Sequence, residues 1–289
     1  MQFTAYNEFQ NDIRLMDLGT GYDKISQNLE RLTADVCSVA RQACEYIGEE
    51  RRRFDVQKVE RKHEHDYVSY VDKHSEKLIV DALERLLPEA GFVTEEGSAS
   101  YDSEEYCWVV DPLDGTTNFI HNYAPYCVSI ALCQGRTILL GVVCEVTTGK
   151  CYYAWQGGGA WRDGCRLHVG QSAMNDALLC IQLPYNSEAY RPVVKRLIGS
   201  LYGHVGSIRM IGSAAMALCY VAEGCLDGYA EKYIGQWDYM AGALIVSEAG
   251  GIVTDYEGST EFTQGSHVVA ASRAVHKSLL QAVQEASFC

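Results

Sequence analysis

From Leu29 the apolar residues Leu32, Val36, Val39, Ala40, Ala43 and Ile47 recur close to every 3.6 positions and predict an amphipathic helix. A second stripe, Leu78, Ile79, Ala82, Leu83 and Leu86, predicts a helix from about Lys73 to Leu87 that Pro88 ends. The pattern then tightens into continuous apolar runs. CWVVD at 107–111, VSIALC at 128–133 and LLGVVCEV at 139–146 predict strands, and so do LLCIQL and GIVTDY farther on. CYYAWQGGGAWRDGCRLHV predicts short strands separated by Gly-rich and Asp-Gly turns. Helical patterns return at Ala214–Ala222 and Tyr239–Ala249.

Residues 1–28 have no clear period and read as an N-terminal extension. Helices and strands mix after it without a repeat or a linker-like segment. The fold class is therefore α/β: one layered domain over 29–289, built of two closely packed halves at about 29–150 and 151–289.

Composition narrows the function. A formal net charge of −14 argues against a nucleic acid partner, because phosphate-backbone binding needs clustered Lys and Arg. No run approaches the roughly 18–20 apolar residues of a membrane span, and the first residues carry no signal-peptide pattern, so a cytoplasmic protein with no membrane partner is expected. The cysteines are scattered without C-x-x-C spacing, which removes zinc-finger and thioredoxin-like readings. Cys127, Cys133 and Cys219 sit inside apolar runs and read as buried, reduced thiols.

The segment with the most chemistry is WVVDPLDGTTNFIH at 108–121. A strand ends in Asp111, Pro112 stiffens the exit, and Asp114-Gly115-Thr116-Thr117 opens a helix start whose N–H groups can hold a phosphate. Taken alone, D-P-x-D-G is also a good turn sequence. Glu95 and Glu96 follow a short apolar stretch, Asp238 stands where a helix N-cap belongs, and Asp72 begins a helical run. Each has a structural reading of its own. Other chemistry is weaker. His63 and His65 beside Asp66 read as surface residues, Gly157–Gly159 lacks the G-K-[ST] of a P-loop, and the stripe of Met210, Met216, Leu218 and Tyr220 reads as core.

Together the acidic motifs resemble the inositol monophosphatase family, within the lithium-sensitive, magnesium-dependent phosphatase superfamily. The resemblance runs from Leu29 to the C-terminus. It rests on D-x-x-S-x-x-D at Asp66–Asp72, Glu95-Glu96, DPLDGTTNFIH, GSAA at 212–215, and WD-x-x-AG…EAGG at 237–251. It implies alternating αβαβα layers with mixed, largely antiparallel sheets, and two to three Mg2+ ions per active site. Glu95, Asp111, Asp114, Asp238 and the Leu113 carbonyl would hold the metal. Asp72 and Thr116 would position and help deprotonate the attacking water, with Glu95 also catalytic. Asp114, Gly115, Thr116, Gly212, Ser213, Ala214 and Glu231 would contact the substrate. A homodimer and inhibition by lithium are implied too.

The charge balance is consistent with this. Carboxylates about 5 Å apart repel by roughly 3 kcal/mol per pair at an effective dielectric near 20, so such a cluster needs cations. Three departures from the family pattern stand out: Thr94 where Gly is usual, Asn122-Tyr123-Ala124-Pro125 after the long motif, and the N-terminal extension. The expected substrate is a small phosphorylated metabolite, inositol monophosphate first, with histidinol phosphate, fructose 1,6-bisphosphate or another sugar phosphate as the alternative. A regulatory binding protein that keeps the fold is the competing class.

Overall fold

The computed structural model describes residues 28–54, 59–63, 66–98, 105–183, 190–263 and 267–287. The N-terminal extension before Asn28, and His65, lie outside the described residues. The first helical stripe becomes α1 (Leu29–Arg52), with every residue of the predicted apolar face buried. A short antiparallel ribbon, β1 (Glu60–His63) and β2 (Asp66–Val68), leads into α2 (Tyr70–Leu86). This helix starts at Tyr70 rather than at the predicted Lys73, because Ser69 caps it. The Ser69 hydroxyl accepts the Val71 N–H at 3.1 Å, and the Asp72 carboxylate accepts the Ser69 N–H at 2.9 Å. Such reciprocal caps satisfy first-turn donors and contribute about 1 kcal/mol.

The apolar runs build a seven-stranded sheet in chain order: β3 (Gly91–Thr94), β4 (Tyr106–Asp114), β5 (Cys127–Gln134), β6 (Thr137–Glu145), β7 (Cys151–Trp155), β8 (Gly159–Arg162) and β9 (Cys165–Arg166). Only β3 and β4 pair in parallel. β4 is buried at every position, its apolar run from Tyr106 to Val110 being covered on both faces and the carboxylates of Asp111 and Asp114 buried beyond it. The sheet continues past the midpoint near residue 150, through β9, before the chain crosses to its second half.

That half contains β10 (Leu178–Ile181), α4 (Arg191–Leu201), β11 (Ser207–Arg209), α5 (Ala214–Ala222), β12 (Gly228–Lys232), α6 (Gln236–Glu248), β13 (Ile252–Thr254), β14 (His267–Ala271) and α7 (His276–Ser287). Its five strands order as β11-β10-β12-β14-β13, with β10 parallel to both neighbours and β14 antiparallel to both of its own. A short helix, α3 (Thr116–Ile120), follows β4.

Three apolar clusters separate five layers. One fills the space between α1/α2 and the first sheet, the next joins that sheet to α5/α6 and on to the second sheet, and the third lies under α4/α7. The layers are therefore αβαβα, as the resemblance implied. In α6 every residue from Tyr239 to Val246 is buried, because both sheets press on it. Its approach to the first sheet is close: a Cβ on Gly141 of β6 would lie 2.6 Å from the Ala241 carbonyl oxygen. Met210 departs from the expected core stripe and is exposed, while Met216 and Leu218 are buried. Cys127, Cys133 and Cys219 are buried free thiols, as read from the sequence. Among the described residues no helix is long and apolar enough to cross a membrane.

Candidate metal centre

The ladder between β4 and β5 shifts register between Asp111 and Asp114, where Pro112 interrupts the strand. This irregularity lets both aspartates turn to the layer occupied by α6, whose first turn carries Asp238. One carboxylate oxygen from each of Asp111, Asp114 and Asp238 lies within 4.8 Å of the other two. Asp238 is not the N-cap expected from the sequence. Gly235 holds that position, and Asp238 reaches back to accept the Gly235 N–H at 2.6 Å. Ser129 fixes the helix over the strand: it is the cross-strand partner of Asp111, and its hydroxyl donates to the Trp237 carbonyl at 3.1 Å.

Each carboxylate is oriented by its own donors. The Leu113 N–H donates to Asp111 Oδ1 at 2.8 Å. Asp114 sits at the N-terminus of α5, accepting from Ser213 Oγ at 2.6 Å, the Ala215 N–H at 2.8 Å and the Ala214 N–H at 3.3 Å. Anions are favoured at such a helix end. Burial first, and then the neighbouring carboxylates, push Asp111 and Asp238 well above the usual range. Burial also raises Asp114, against the pull of its hydrogen bonds. An all-oxygen donor set, buried at Asp111 and Asp114 and half-buried at Asp238, whose members repel one another fits a hard divalent cation, which would restore the charged forms.

Glu95 borders this triad rather than joining it. It follows β3, its N–H donates to the Val110 carbonyl at 3.2 Å, and its charge raises both Asp111 and Asp238. Its loop is held by a residue the sequence reading passed over. Buried Glu76 accepts Thr94 Oγ1 at 3.0 Å, the Glu96 N–H at 2.8 Å and the Ser98 N–H at 2.7 Å, so it grips the chain on both sides of Glu95. Thr94, the departure from the family pattern, supplies one of those contacts.

Thr116 Oγ1 lies 3.0 Å from Asp72 Oδ1 and 3.0 Å from the Leu113 carbonyl oxygen, so its single proton is shared between two acceptors. Asp72 is fully buried, and burial raises it despite the bonds from Ser69 and Thr116. Gly115 takes a left-handed conformation, φ 88°, to start α3, and a Cβ there would crowd the Gly212 carbonyl oxygen at 3.1 Å. Asn118 ties α3 to the second half by donating to the carbonyls of Pro125 at 2.8 Å and Ile211 at 2.9 Å.

Of the expected substrate contacts, Gly212 faces this junction, but the Ser213 hydroxyl and the Ala214 N–H are engaged with Asp114. Glu231 is buried on β12 beside the Tyr229 hydroxyl, and burial pushes it up to about 8. Asp66 falls on β2.

Comparison with known proteins agrees with this geometry. Residues 28–287 match the inositol monophosphatase family. The Nus factor SuhB of Pseudomonas aeruginosa is 38% identical over 255 residues, covering 85% of this chain and 93% of that protein. An inositol-1-monophosphatase of Mesorhizobium japonicum is 35% identical over 222 residues, 76% of this chain and 84% of that one. Among solved structures, a Thermotoga maritima IMPase superposes with a TM-score of 0.80 at 28% identity, covering 89% of this chain and 98% of its own.

Proposed function

The chain belongs to the inositol monophosphatase family, and from that premise we propose that it hydrolyses inositol monophosphate to inositol and phosphate with Mg2+. The observation that carries this reading is the meeting of Asp111 and Asp114 from one half with Asp238 from the other, next to the Asp72–Thr116 pair.

Asp111, Asp114, Asp238, Glu95 and the Leu113 carbonyl would hold the ions. When bound, two to three Mg2+ ions would offset the charge of a phosphate dianion and acidify a water molecule. The side chains supply the rest. Thr116, donating to Asp72, presents an oxygen lone pair to the attacking water, orients it and takes its proton as the hydroxyl's own proton passes to the Asp72 carboxylate. The opening N–H groups of α3, at Gly115 and Thr116, have no partner within the helix and would hold phosphate oxygens. Glu231, Gly212, Ser213 and Ala214 would contact the alcohol part, where Glu231 suits a polyol hydroxyl. Inhibition by millimolar lithium and a homodimeric assembly belong to the same reading.

The test is phosphate release in Mg2+ from inositol monophosphate, histidinol phosphate, fructose 1,6-bisphosphate and 3′-phosphoadenosine phosphates, side by side. Preference for inositol monophosphate supports the proposal. Preference for another ester transfers the same chemistry to that substrate, and no turnover on any ester refutes it. A second reading, a binding role through a protein partner, is favoured by the relatives named as Nus factors, a name that specifies no phosphatase.

A further inference from the structure

Four free thiols share the layer between α1 and the first sheet, on the opposite face of that sheet from α6. Cys37 and Cys44 stand about two turns apart on α1. Cys144 is on β6 and Cys151 on β7. Cys44, Cys144 and Cys151 are buried, and Cys37 is partly buried against them.

Cys144 and Cys151 lie directly opposite each other in the antiparallel β6–β7 pair. The adjacent Glu145 N–H donates to the Lys150 carbonyl at 2.9 Å, so the ladder bond falls on the neighbouring pair. The cysteines therefore occupy a non-hydrogen-bonded position, where Cα atoms are about 4.5 Å apart and side chains approach most closely. That spacing falls inside the roughly 4.4–6.8 Å that a disulfide spans. The Cys44 thiol donates to the Cys144 carbonyl at 3.1 Å. Cys37 is partly buried against the same cluster that holds Cys144 and Cys151, so it stands at the outer end of the row, and Cys144 and Cys37 are the neighbours that raise the Cys151 thiol. Arg41, bonded to Asp163 and to the Gly149 carbonyl, places a positive charge beside the row. Hydrogen bonds from the Cys151 and Cys44 thiols, together with Arg41, pull the Cys144 thiol down, whereas bonding to its thiol neighbours and burial push Cys151 up. A lowered thiol is the nucleophile in disulfide exchange.

We propose that Cys37, Cys151 and Cys144 form a thiol relay, driven by a hydroperoxide, that ends in a Cys144–Cys151 disulfide. In the first step the Cys37 sulfur attacks the peroxide. The O–O bond breaks, one oxygen stays on Cys37 as sulfenic acid, and the alcohol or water fragment leaves. The Cys151 thiol then attacks the Cys37 sulfur and expels the oxygen as water, forming a Cys37–Cys151 disulfide. Finally the Cys144 thiolate attacks the Cys151 sulfur and releases Cys37 as thiolate. The net change oxidises two thiols and reduces one hydroperoxide. The relay does not depend on the phosphatase reading, because none of its atoms belongs to the metal centre.

Trypsin separates the four cysteines onto four peptides, cutting at Arg31, Arg41, Lys150 and Arg162 among others. The test treats folded, reduced protein carrying Cys165→Ser, Cys225→Ser and Cys289→Ser, which removes the two exposed thiols among the described residues and the C-terminal one, with hydrogen peroxide. The disulfides are then mapped by mass spectrometry. The expected product is the Cys144–Cys151 linked pair, reversible by dithiothreitol. Cys144→Ser should trap the Cys37–Cys151 link instead, and Cys37→Ser should slow formation of the Cys144–Cys151 link by at least about tenfold, since the entry thiol is gone. Circular dichroism of each reduced variant checks that it is folded. Absence of a Cys144–Cys151 link in the folded parent, or its formation at an unchanged rate in Cys37→Ser, overturns the relay.

Discussion

The Ser213 hydroxyl donates to Asp114 Oδ2 at 2.6 Å across a chain separation of 99 residues. The same hydroxyl accepts the Met216 N–H at 3.3 Å, so one side chain both caps α5 and orients a metal-site carboxylate. Ser213→Ala should therefore lose about 1–2 kcal/mol of stability through the cap, and should also weaken Mg2+ binding. Chemical denaturation with and without Mg2+ separates the two effects. A stability loss that leaves Mg2+ affinity untouched would show that the serine only caps.

Asp111→Asn removes one charge from the repelling triad. Without metal the variant should be at least as stable as the parent, because the buried carboxyl it replaces is already disfavoured as an anion. With Mg2+ it should lose activity by on the order of 10³-fold, about 4 kcal/mol of transition-state stabilisation. Calorimetry and phosphate release test both, and near-normal turnover would refute its assignment as a ligand.

Thr116→Ala should lower kcat by about 10²-fold or more with little change in KM, in the range of a lost proton-transfer group. Thr116→Ser keeps the hydroxyl and should retain most of the activity. Equal losses in the two variants would point to the methyl group instead of the Asp72 contact.

Glu76→Gln weakens the charge-assisted bonds that hold residues 94–98. The expected consequence is a rise of about 10–100-fold in the Mg2+ concentration needed for half-maximal activity, the usual cost of losing an outer-shell partner. kcat at saturating Mg2+ should change much less. A loss confined to kcat would remove the link between Glu76 and the metal site.

Glu231 gives a pH prediction. Its carboxyl is raised from an ordinary 4.5 to about 8 in the folded protein, so between these values the folded state binds a proton that the unfolded chain releases. Stability of the metal-free protein should accordingly fall as pH rises through that window, and Asp111 and Asp238 act in the same direction. Thermal midpoints in chelator at pH 5 and pH 8 test this. Glu231→Gln should flatten the decline, and an equally steep profile would exclude Glu231 as its source.

The elements that carried a strong period were legible: the buried face of α1, the bounds of α5, and the apolar runs that became β4, β5 and β6. α4 escaped because only Leu197 and Leu201 are buried in it, too little for a stripe. β14 and α7 escaped for a different reason. Their apolar positions are present in the sequence, but their meaning depends on a second sheet to cover. At the site, Asp111, Asp114 and Asp238 were readable as members of dense motifs. Glu76 and Asn118 were not, because a helical Glu or Asn looks like solvated surface until the loop it holds is folded over it. Ser129 left one trace, a lone hydroxyl in the run CVSIALC, where every neighbour inside the strand is apolar. Its partner, the Trp237 carbonyl, is visible only in three dimensions.

Gly141 sets how near α6 can come to β6, since a methyl group there would strike the Ala241 backbone at 2.6 Å. Asp238 rides on the same helix, one turn earlier. The gap that separates it from Asp111 is thus gauged by an absent atom two strands away, and even an alanine at that point would act as a wedge under the helix, widening the jaws of the site without touching a single ligand.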